Sequence, residues 1–403
     1  MPASLAGPSG GAWLLMARSM RSRVFGLFAR ESTSPVSCQT YGHVSYGYVS
    51  VVAVPPNSQP EEHDDHFPQA TRLAPKPETE PEANPRMQQF LVGLFVGIPT
   101  LALIAGIPVA WRWGFLGWHD VVIFAVFYAI SGLGITVGYH RYFTHASFKA
   151  KTPLRVALAI AGSLAMQGSV IMWVSDHRRH HKYSDKEGDP HSPWRYGTDT
   201  KALAKGLAFA HMGWLFDPNQ TSQEKFSPDL LADKNIKRID GLFIWIVAFT
   251  LLAPALTGGL WSMSWYGAFT AFFWASLVRV ALLHHVTWSI NSICHTFGAE
   301  EWESRDKSRN VNWLAIPSFG ESWHNLHHVD PTCARHGALK GQIDLSARVI
   351  RWFEQLGWAR DVRWPDEQRL ESKRAANATR ALGPMTKRST AKRTHIQDER
   401  KAA

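Results

Sequence analysis

The run HDVVIFAVFYAISGLGITVGYHRYFTH (His119–His145) carries the two features that decide the fold. Between Asp120 and His140 it contains no charged residue, and this stretch is long enough to cross a hydrocarbon layer about 30 Å thick. The run then ends in the first of several short histidine motifs. We therefore predict a transmembrane helix whose end presents imidazole side chains.

Three further spans are predicted from stretches without Asp, Glu, Lys or Arg. One extends from Met87 to Trp111. A longer one, from Gly241 to Val278, is interrupted near its middle by Pro254, Gly258 and Gly259, which predicts a tight helical hairpin. The chain is thus predicted to be an all-α integral membrane protein with four transmembrane helices, at about 88–110, 120–139, 240–257 and 262–283.

The segment Val156–Ser175 is also uncharged and long enough to span a bilayer. It lies between two histidine motifs, which we expect to form a single site. If both motifs lie on one side of the membrane, this segment cannot cross once. We therefore predict that it lies at the membrane interface or is buried within the protein.

Basic residues indicate the orientation, because cytoplasmic loops of membrane proteins are rich in Lys and Arg. Fifteen Lys or Arg lie between His140 and Asp240, whereas the connections at 112–118 and 258–261 contain only Arg112. This pattern predicts a multi-pass protein of the cell membrane with the histidine motifs and both termini in the cytoplasm.

The two ends of the chain differ in composition from the middle. Residues 1–86 are rich in Pro, Gly, Ser and Glu and are predicted to be disordered, although a basic apolar stretch beginning at Arg18 could lie on an anionic membrane surface. Residues 359–403 carry twelve Lys or Arg against six Asp or Glu and are predicted to be a flexible basic tail. Residues 87–358 are the predicted membrane domain.

Nine of the 19 histidines form four short clusters. The clusters are His140-Arg-Tyr-Phe-Thr-His145, His177-Arg-Arg-His180-His181, Asn291-Ser-Ile-Cys-His295 and His324-Asn-Leu-His327-His328. On a helix, H-x-x-H-H places three imidazoles on one face, so that three nitrogen donors converge. His140 and His145 would be about 140° apart on a regular helix, so His145 must reach the site from beyond the helix end or from a distorted turn.

This many imidazoles in one place predict more than one transition-metal ion, although the spacing leaves iron, copper and zinc open. Only Glu321-Ser-Trp-His324 matches the Glu-x-x-His motif, which disfavours a soluble carboxylate-bridged di-iron bundle. The three cysteines, Cys38, Cys294 and Cys333, exclude a disulfide framework, a four-cysteine zinc site and a cysteine-ligated iron–sulfur cluster.

The ordered set of motifs resembles that of the membrane-bound acyl-CoA desaturases of the stearoyl-CoA, delta-9 type, over roughly residues 87–358. After the last motif the chain reads Val-Asp-Pro-Thr-Cys-Ala-Arg-His336-Gly, which is closer to the bacterial branch. The resemblance implies four spans under a cytoplasmic helical cap that holds two iron ions. The implied ligands are His140, His145, His177, His180, His181, His295, His324, His327 and His328, with Asn291 acting through a water molecule.

The resemblance also implies a bent tunnel for the acyl chain, lined by Gln167, Trp173, Thr287 and Trp288. Because nine neutral ligands leave the metal charge uncompensated, we expect nearby carboxylates at Asp176, Glu321 or Asp330. The CoA phosphates require cations near the second motif. The candidates there are Arg178, Arg179, Lys182, Lys186 and Arg195.

The expected activity is the O2-dependent insertion of a cis double bond, at the delta-9 position, into a saturated acyl-CoA such as stearoyl or palmitoyl. No side-chain acid or base can remove hydrogen from an unactivated methylene pair, so the metal centre is the expected catalyst. The chain lacks a His-Pro-Gly-Gly haem motif and a dinucleotide-binding glycine motif, so we expect a separate reductase or ferredoxin-type electron donor. The bilayer is the other expected partner, and no nucleic acid is expected.

Three alternatives remain open from the sequence. A membrane di-iron hydroxylase of fatty acids or alkanes would share the metal site and yield an alcohol. A histidine-lined metal transporter would disperse its ligands across the depth of the bilayer. A desaturase could also act on acyl chains attached to lipid or to a carrier protein.

Overall fold

The computed structural model describes residues 77–373. The predicted all-α membrane fold is confirmed, with two short antiparallel strand pairs added, β1 with β3 and β2 with β4. The elements are β1 (Thr79–Pro81), α1 (Pro85–Trp113), α2 (Trp118–Leu133) continuing as a π-helix (Gly134–Thr144), β2 (Lys149–Ala150), α3 (Thr152–Ser163), α4 (Val170–Tyr183), α5 (Thr200–His211), β3 (Asn219–Thr221), α6 (Gln223–Phe226), α7 (Pro228–Ala232), α8 (Lys234–Gly241), α9 (Phe243–Ser262), α10 (Trp265–Ala271) continuing as a π-helix (Phe272–Val278), α11 (Arg279–Ser292), α12 (His324–Val329), α13 (Leu345–Gln355) and β4 (Ala359–Arg360).

Four helical runs are long and apolar enough to cross a membrane, and each corresponds to a predicted span. They are Pro85–Ala110, Trp118–Thr144, Phe243–Ser262 and Trp265–Ser292. The connections between the first two and between the last two expose Trp118, Trp261 and Trp265 strongly. Exposed tryptophans are typical of the membrane–water boundary, so these connections lie at the interface opposite the histidines.

The turn between the third and fourth spans was predicted at residues 258–261, and this position is wrong. Helix α9 continues through Pro254 to Ser262, and the chain turns at Met263, whose φ is 50°. The glycines serve helix packing instead of ending the helix. A Cβ on Gly258 would lie only 2.3 Å from the Cβ of Ala271 on the next span, so the absence of a side chain lets the two helices approach closely.

The segment Val156–Ser175 does not form a continuous helix, in agreement with its predicted failure to span. Helix α3 ends at Ser163, helix α4 begins at Val170, and the backbone between them turns. The fully buried Arg279 holds this turn to the spans. Its guanidinium donates to the carbonyl oxygen of Leu164 (3.1 Å) and to Thr250 Oγ1 (2.9 Å). These bonds satisfy polar groups that have no access to water.

The π-helix at the end of α2 supplies the distorted turn predicted for His145. The backbone N–H of His145 donates to the carbonyl oxygen of His140 (3.2 Å), five residues earlier. Such widened turns are frequent at functional sites. Gly134 and Gly138 face α3 so closely that a Cβ on either would lie within 3 Å of α3 backbone atoms. Close packing against α3 therefore accompanies the widened turn.

The predicted domain limits need correction at both ends. Most of the predicted disordered segment 1–86, including the basic stretch from Arg18, lies outside the described residues, but Thr79–Pro81 pair with Asn219–Thr221 in register and α1 begins at Pro85. The predicted flexible tail 359–403 also begins too early. Ala359–Arg360 pair with Lys149–Ala150, so backbone hydrogen bonds hold the start of this segment.

Candidate metal centre

Two groups of imidazoles lie side by side at the histidine-bearing ends of the spans. In each group the candidate ligand atoms lie within 4.8 Å of one another. The first group consists of His140, His145, His177, His181 and His327. The second group consists of His180, His295, His324 and His328. All nine predicted histidines are brought together, and each belongs to one group.

The two H-x-x-H-H motifs divide between the groups, which corrects the expectation that each would converge on one point. On α4, His177 and His181 face the first group, while His180 faces the second. On α12 the division is reversed, because His324 and His328 face the second group and His327 the first. Residues i and i+4 share a helix face, and residue i+3 is displaced from it. Each of the two helices therefore supplies imidazoles to both groups.

The ring nitrogens are spaced as ligands of a shared ion would be. In the first group, His327 Nε2 lies 3.0 Å from His140 Nε2 and 2.9 Å from His181 Nε2. In the second group, His324 Nε2 lies 3.1 Å from His295 Nε2 and 2.9 Å from His328 Nε2. Metal–imidazole bonds of about 2.1 Å at right angles would separate two nitrogens by about 3 Å. The residues therefore fit a metal ion in each group.

A buried nitrogen without a partner supports this interpretation. The Nε2 atom of His145 is buried and forms no hydrogen bond with the described residues. An unpaired buried polar atom is costly, whereas a metal ion would use its lone pair. Burial holds the pKa of His145, His177 and His327 well below the usual value, so these rings are neutral and able to donate to a metal.

Four carboxylates each contact the Nδ1 atom of one histidine ring in the two groups and orient that ring. Glu321 bonds to His140, Asp189 to His180 (3.0 Å), Asp185 to His295 (2.9 Å) and Asp306 to His328 (2.7 Å). A carboxylate on Nδ1 keeps the proton there and turns the lone pair of Nε2 toward the metal. Burial alone would raise the pKa of Glu321, but His140 and Arg141 hold it well below its usual value.

Of the three predicted carboxylates, Glu321 contacts a candidate ligand and Asp176 lines the cavity next to His177. The prediction for Asp330 is wrong. Its carboxylate accepts hydrogen bonds from Arg369 Nη2 (2.7 Å) and Thr332 Oγ1 (3.2 Å), and therefore ties the chain after α12 to the residues near 369. Asp185, Asp189 and Asp306 were not predicted, although the first two lie in the SDKEGDPH run that follows the second motif.

The buried His336 lies beside the first group and was not predicted to belong to the site. Its ring centroid lies 4.5 Å from that of His327, and its Nδ1 lies 3.5 Å from the Glu321 carboxylate that also contacts His140. Burial and the nearby Arg141 guanidinium lower the pKa of His336 to about 4, so the ring is neutral near pH 7. The signal was present in the run Ala-Arg-His336-Gly.

The four predicted tunnel residues line one cavity of about 180 Å³ that reaches the first group at His177. The Nε2 of Gln167 donates to Thr287 Oγ1 (3.0 Å), and the ring of Trp173 stacks on His177 at 5.0 Å. Trp288 and Asn291 line the same cavity as His177. An apolar chain that enters this cavity would meet the imidazoles.

The cations predicted for CoA phosphates are partly neutralised by other residues. Arg178 donates to Asp229 Oδ1 (2.6 Å), and Lys182 donates to Glu78 (2.9 Å). Arg179 donates to the hydroxyl of Thr221 (3.3 Å). These contacts fasten α4 to the strand pair and to α7, which gives three of the five predicted cations a structural role.

Comparisons with known proteins agree with this geometry. Residues 113–338 match the sequence family described as fatty acid desaturase. The chain is 39% identical over 285 residues to the hex-5-enoyl-[acyl-carrier protein] acetylenase of Moorena producens (strain JHB), which covers 70% of this chain and 88% of that protein. It is 40% identical over 253 residues to delta-9 acyl-lipid desaturase 1 of Arabidopsis thaliana (62% and 77% covered), and 34% identical over 293 residues to the sn-1 stearoyl-lipid 9-desaturase of Anabaena variabilis (72% and 97% covered).

Proposed function

Because the chain belongs to the fatty acid desaturase family, we propose that it uses O2 to insert a cis double bond, at the delta-9 position, into a saturated acyl chain such as stearoyl or palmitoyl. One observation carries the proposal. A cavity lined by residues of the spans and of the cap reaches His177, which belongs to one of two adjacent imidazole groups that each fit a metal ion.

The nine histidines would hold two iron ions, which supply the oxidising power of O2 that side chains lack. In the overall reaction, two hydrogens leave adjacent methylenes, two electrons and two protons arrive from outside, and O2 becomes two water molecules. The protein contributes position and the exclusion of water. Four buried carboxylates contact the Nδ1 atoms of histidine rings and fix the directions of those rings. They belong to Glu321, Asp189, Asp185 and Asp306.

The cavity residues would select which methylene pair lies next to the imidazoles. The bond between Gln167 and Thr287 fastens α11 to the turn before α4, and Trp173 stacks on His177. A chain held along these side chains has few positions that it can adopt. Regioselectivity would then follow from the distance between the carrier group and the first metal group.

Three acyl carriers are candidates: the CoA thioester predicted from the motif resemblance, a membrane glycerolipid and an acyl-carrier protein. The pairing of Arg178 with Asp229 and of Lys182 with Glu78 leaves fewer cations for CoA phosphates. Two of the relatives are named for lipid-bound chains and one for a chain on acyl-carrier protein. We favour the lipid-bound chain, and a side-by-side assay with stearoyl-CoA, stearoyl-phospholipid and stearoyl-acyl-carrier protein decides among them.

We also propose that the histidine-bearing face lies in the cytoplasm and that electrons come from a separate carrier protein. The fifteen basic residues between His140 and Asp240 support this orientation. The alternative of a metal transporter is disfavoured because all nine imidazoles gather at one end of the spans. A hydroxylase differs in its product and is distinguished by product analysis.

The test uses the full chain in membranes supplied with saturated lipid, O2, a reductase and ferredoxin. We expect about two irons per chain and a cis-alkene product. The variant His140→Ala should lose iron and product. His119→Ala, at the other end of the same transmembrane run, is the matched control and should retain both. An alcohol as the main product, or zinc in place of iron, would contradict the proposal.

A further inference from the structure

A pocket of about 470 Å³ lies on the cap and shares no lining residue with the acyl cavity. Its walls are the loop that follows His336, the first turns of α13, and Trp364 with Pro365. Three arginines, Arg335, Arg348 and Arg351, line it. This accumulation of one charge on a concave surface indicates a site for an anionic partner.

The positive charge of the pocket is largely uncompensated. Among the described residues, the exposed side chain of Arg348 has no hydrogen-bond or ion-pair partner, and Arg335 donates only to the carbonyl oxygen of Gly337 (2.7 Å). Arg351 pairs with Glu354 (2.8 Å). The one acidic lining residue, Asp344, is buried, and its carboxylate already forms an ion pair with Arg141 (3.0 Å).

Two short connections join this pocket to the first metal group. Along one, Asp344 bonds to Arg141 (3.0 Å), Arg141 bonds to Glu321 (2.9 Å), and Glu321 contacts His140. Along the other, the backbone N–H of His336 donates to Asp344 (2.8 Å), and the ring of His336 lies 4.5 Å from that of His327. A partner in the pocket would therefore be separated from His140 by the side chains of Asp344, Arg141 and Glu321. Asp344 and His336 would separate it from His327.

We propose that this arginine-lined pocket is the docking site of the electron donor, a small acidic one-electron carrier protein whose carboxylates pair with the arginines. The proposal rests on the proposed function, in which each double bond requires two electrons from outside the chain. Two reduced carriers would dock in succession, each giving up one electron and leaving oxidised. Because the acyl cavity has its own lining, the donor and the acyl chain can be bound together.

The alternative occupant is the phosphate of an acyl carrier, which would bind arginines equally well. The observations favour the redox protein, because a chain of bonded side chains links the pocket wall at Asp344 to His140, whereas the acyl cavity reaches the first group at His177. A phosphate site would be expected at the mouth of the acyl cavity. The two occupants predict different kinetic effects.

The test measures turnover of the full chain in nanodiscs with reduced plant-type ferredoxin as the donor probe, at varied donor and acyl-substrate concentrations. For Arg348→Glu we expect the KM for ferredoxin to rise about tenfold at low salt and the effect to shrink at high salt, because exposed charges are screened. Arg348→Lys should remain near wild type. Arg238→Glu, which reverses an exposed charge on α8, is the matched control and should also remain near wild type.

A second measurement separates docking from catalysis. Enzyme reduced with dithionite and then mixed with O2 and acyl substrate should form the same amount of alkene in one turnover in wild type and in Arg348→Glu. The proposal is overturned if Arg348→Glu behaves like Arg238→Glu, or if the KM for the acyl substrate rises instead. If wild-type enzyme forms no alkene even after dithionite reduction, the proposed desaturase function has failed, independently of docking.

Discussion

Replacing Asp306 by Asn tests how the carboxylates act on the metal groups. The carboxylate is fully buried, lies 2.7 Å from His328 Nδ1 and accepts a second bond from the backbone N–H of Ser308 (3.2 Å). In the carboxylate, Oδ2 faces His328 and Oδ1 accepts from Ser308, whereas an amide has an oxygen at one of these positions and an NH2 group at the other, so one of the two contacts loses its acceptor atom. If its NH2 faces His328, the ring proton moves to Nε2, the atom expected to bind metal.

Loss of such an orienting partner weakens metal affinity by 10- to 100-fold, which corresponds to about 1.4–2.7 kcal/mol. The assay titrates metal-free protein in nanodiscs with Fe(II) under anaerobic conditions, against a competing chelator. We expect one site to weaken in Asp306→Asn and the other to keep its affinity. Thermal unfolding of the metal-free protein reports any general loss of stability.

Asp330→Asn is the matched control, because Asp330 is also buried but pairs with Arg369 and not with an imidazole. It should lower the unfolding temperature and leave both metal affinities unchanged. The reasoning is refuted if Asp306→Asn binds two ions as tightly as wild type. It is equally refuted if Asp330→Asn weakens a metal site to the same extent.

Three further predictions concern other parts of the molecule. The lysine and tyrosine partners of Glu78 lower its pKa to about 2, so the ionised side chain should stabilise the fold above pH 4.5 and lose this contribution toward pH 2. Glu78→Gln should remove this pH dependence of the unfolding free energy, which is under about 1 kcal/mol because the site is exposed. Gly258→Val should destabilise the protein in detergent by about 1–3 kcal/mol through its clash with Ala271, whereas Gly93→Val, which meets no atom, should cost less. Thr287→Val, which removes the acceptor for Gln167, should shift double-bond position in product analysis while iron content is retained.

The sequence predicted those features that depend on long or repeated patterns. Uncharged stretches of spanning length located all four spans, and the paired H-x-x-H-H motifs located the two helices, α4 and α12, that each supply three imidazoles. The parity argument correctly kept Val156–Ser175 out of the set of spans. These predictions succeed because burial in lipid and ligand geometry each require a particular residue class at nearly every position of the pattern.

The features that the sequence did not predict depend on single tertiary contacts. Glycine often interrupts helices in soluble proteins. Here Gly258 lies within α9 and allows this helix to contact Ala271 on the next span. Asp330 lies two residues after His328 and Asp306 lies eleven residues after His295, yet it is Asp306 that contacts a histidine ring, whereas Asp330 pairs with Arg369. No local pattern encodes where an arginine 39 residues later will lie.

The distribution of carboxylates makes the two groups electrostatically unequal. In the first group, which has five imidazoles, Glu321 contacts His140 and shares its charge with Arg141. The second has four imidazoles and three contacting carboxylates, Asp185, Asp189 and Asp306. Negative charge stabilises the higher oxidation state of a metal, so an ion in the second group would give up an electron more readily. The first group, which borders the acyl cavity and is linked to the arginine-lined pocket through Glu321, Arg141 and Asp344, would then be the better electron acceptor, and this order matches a path in which electrons enter near His140.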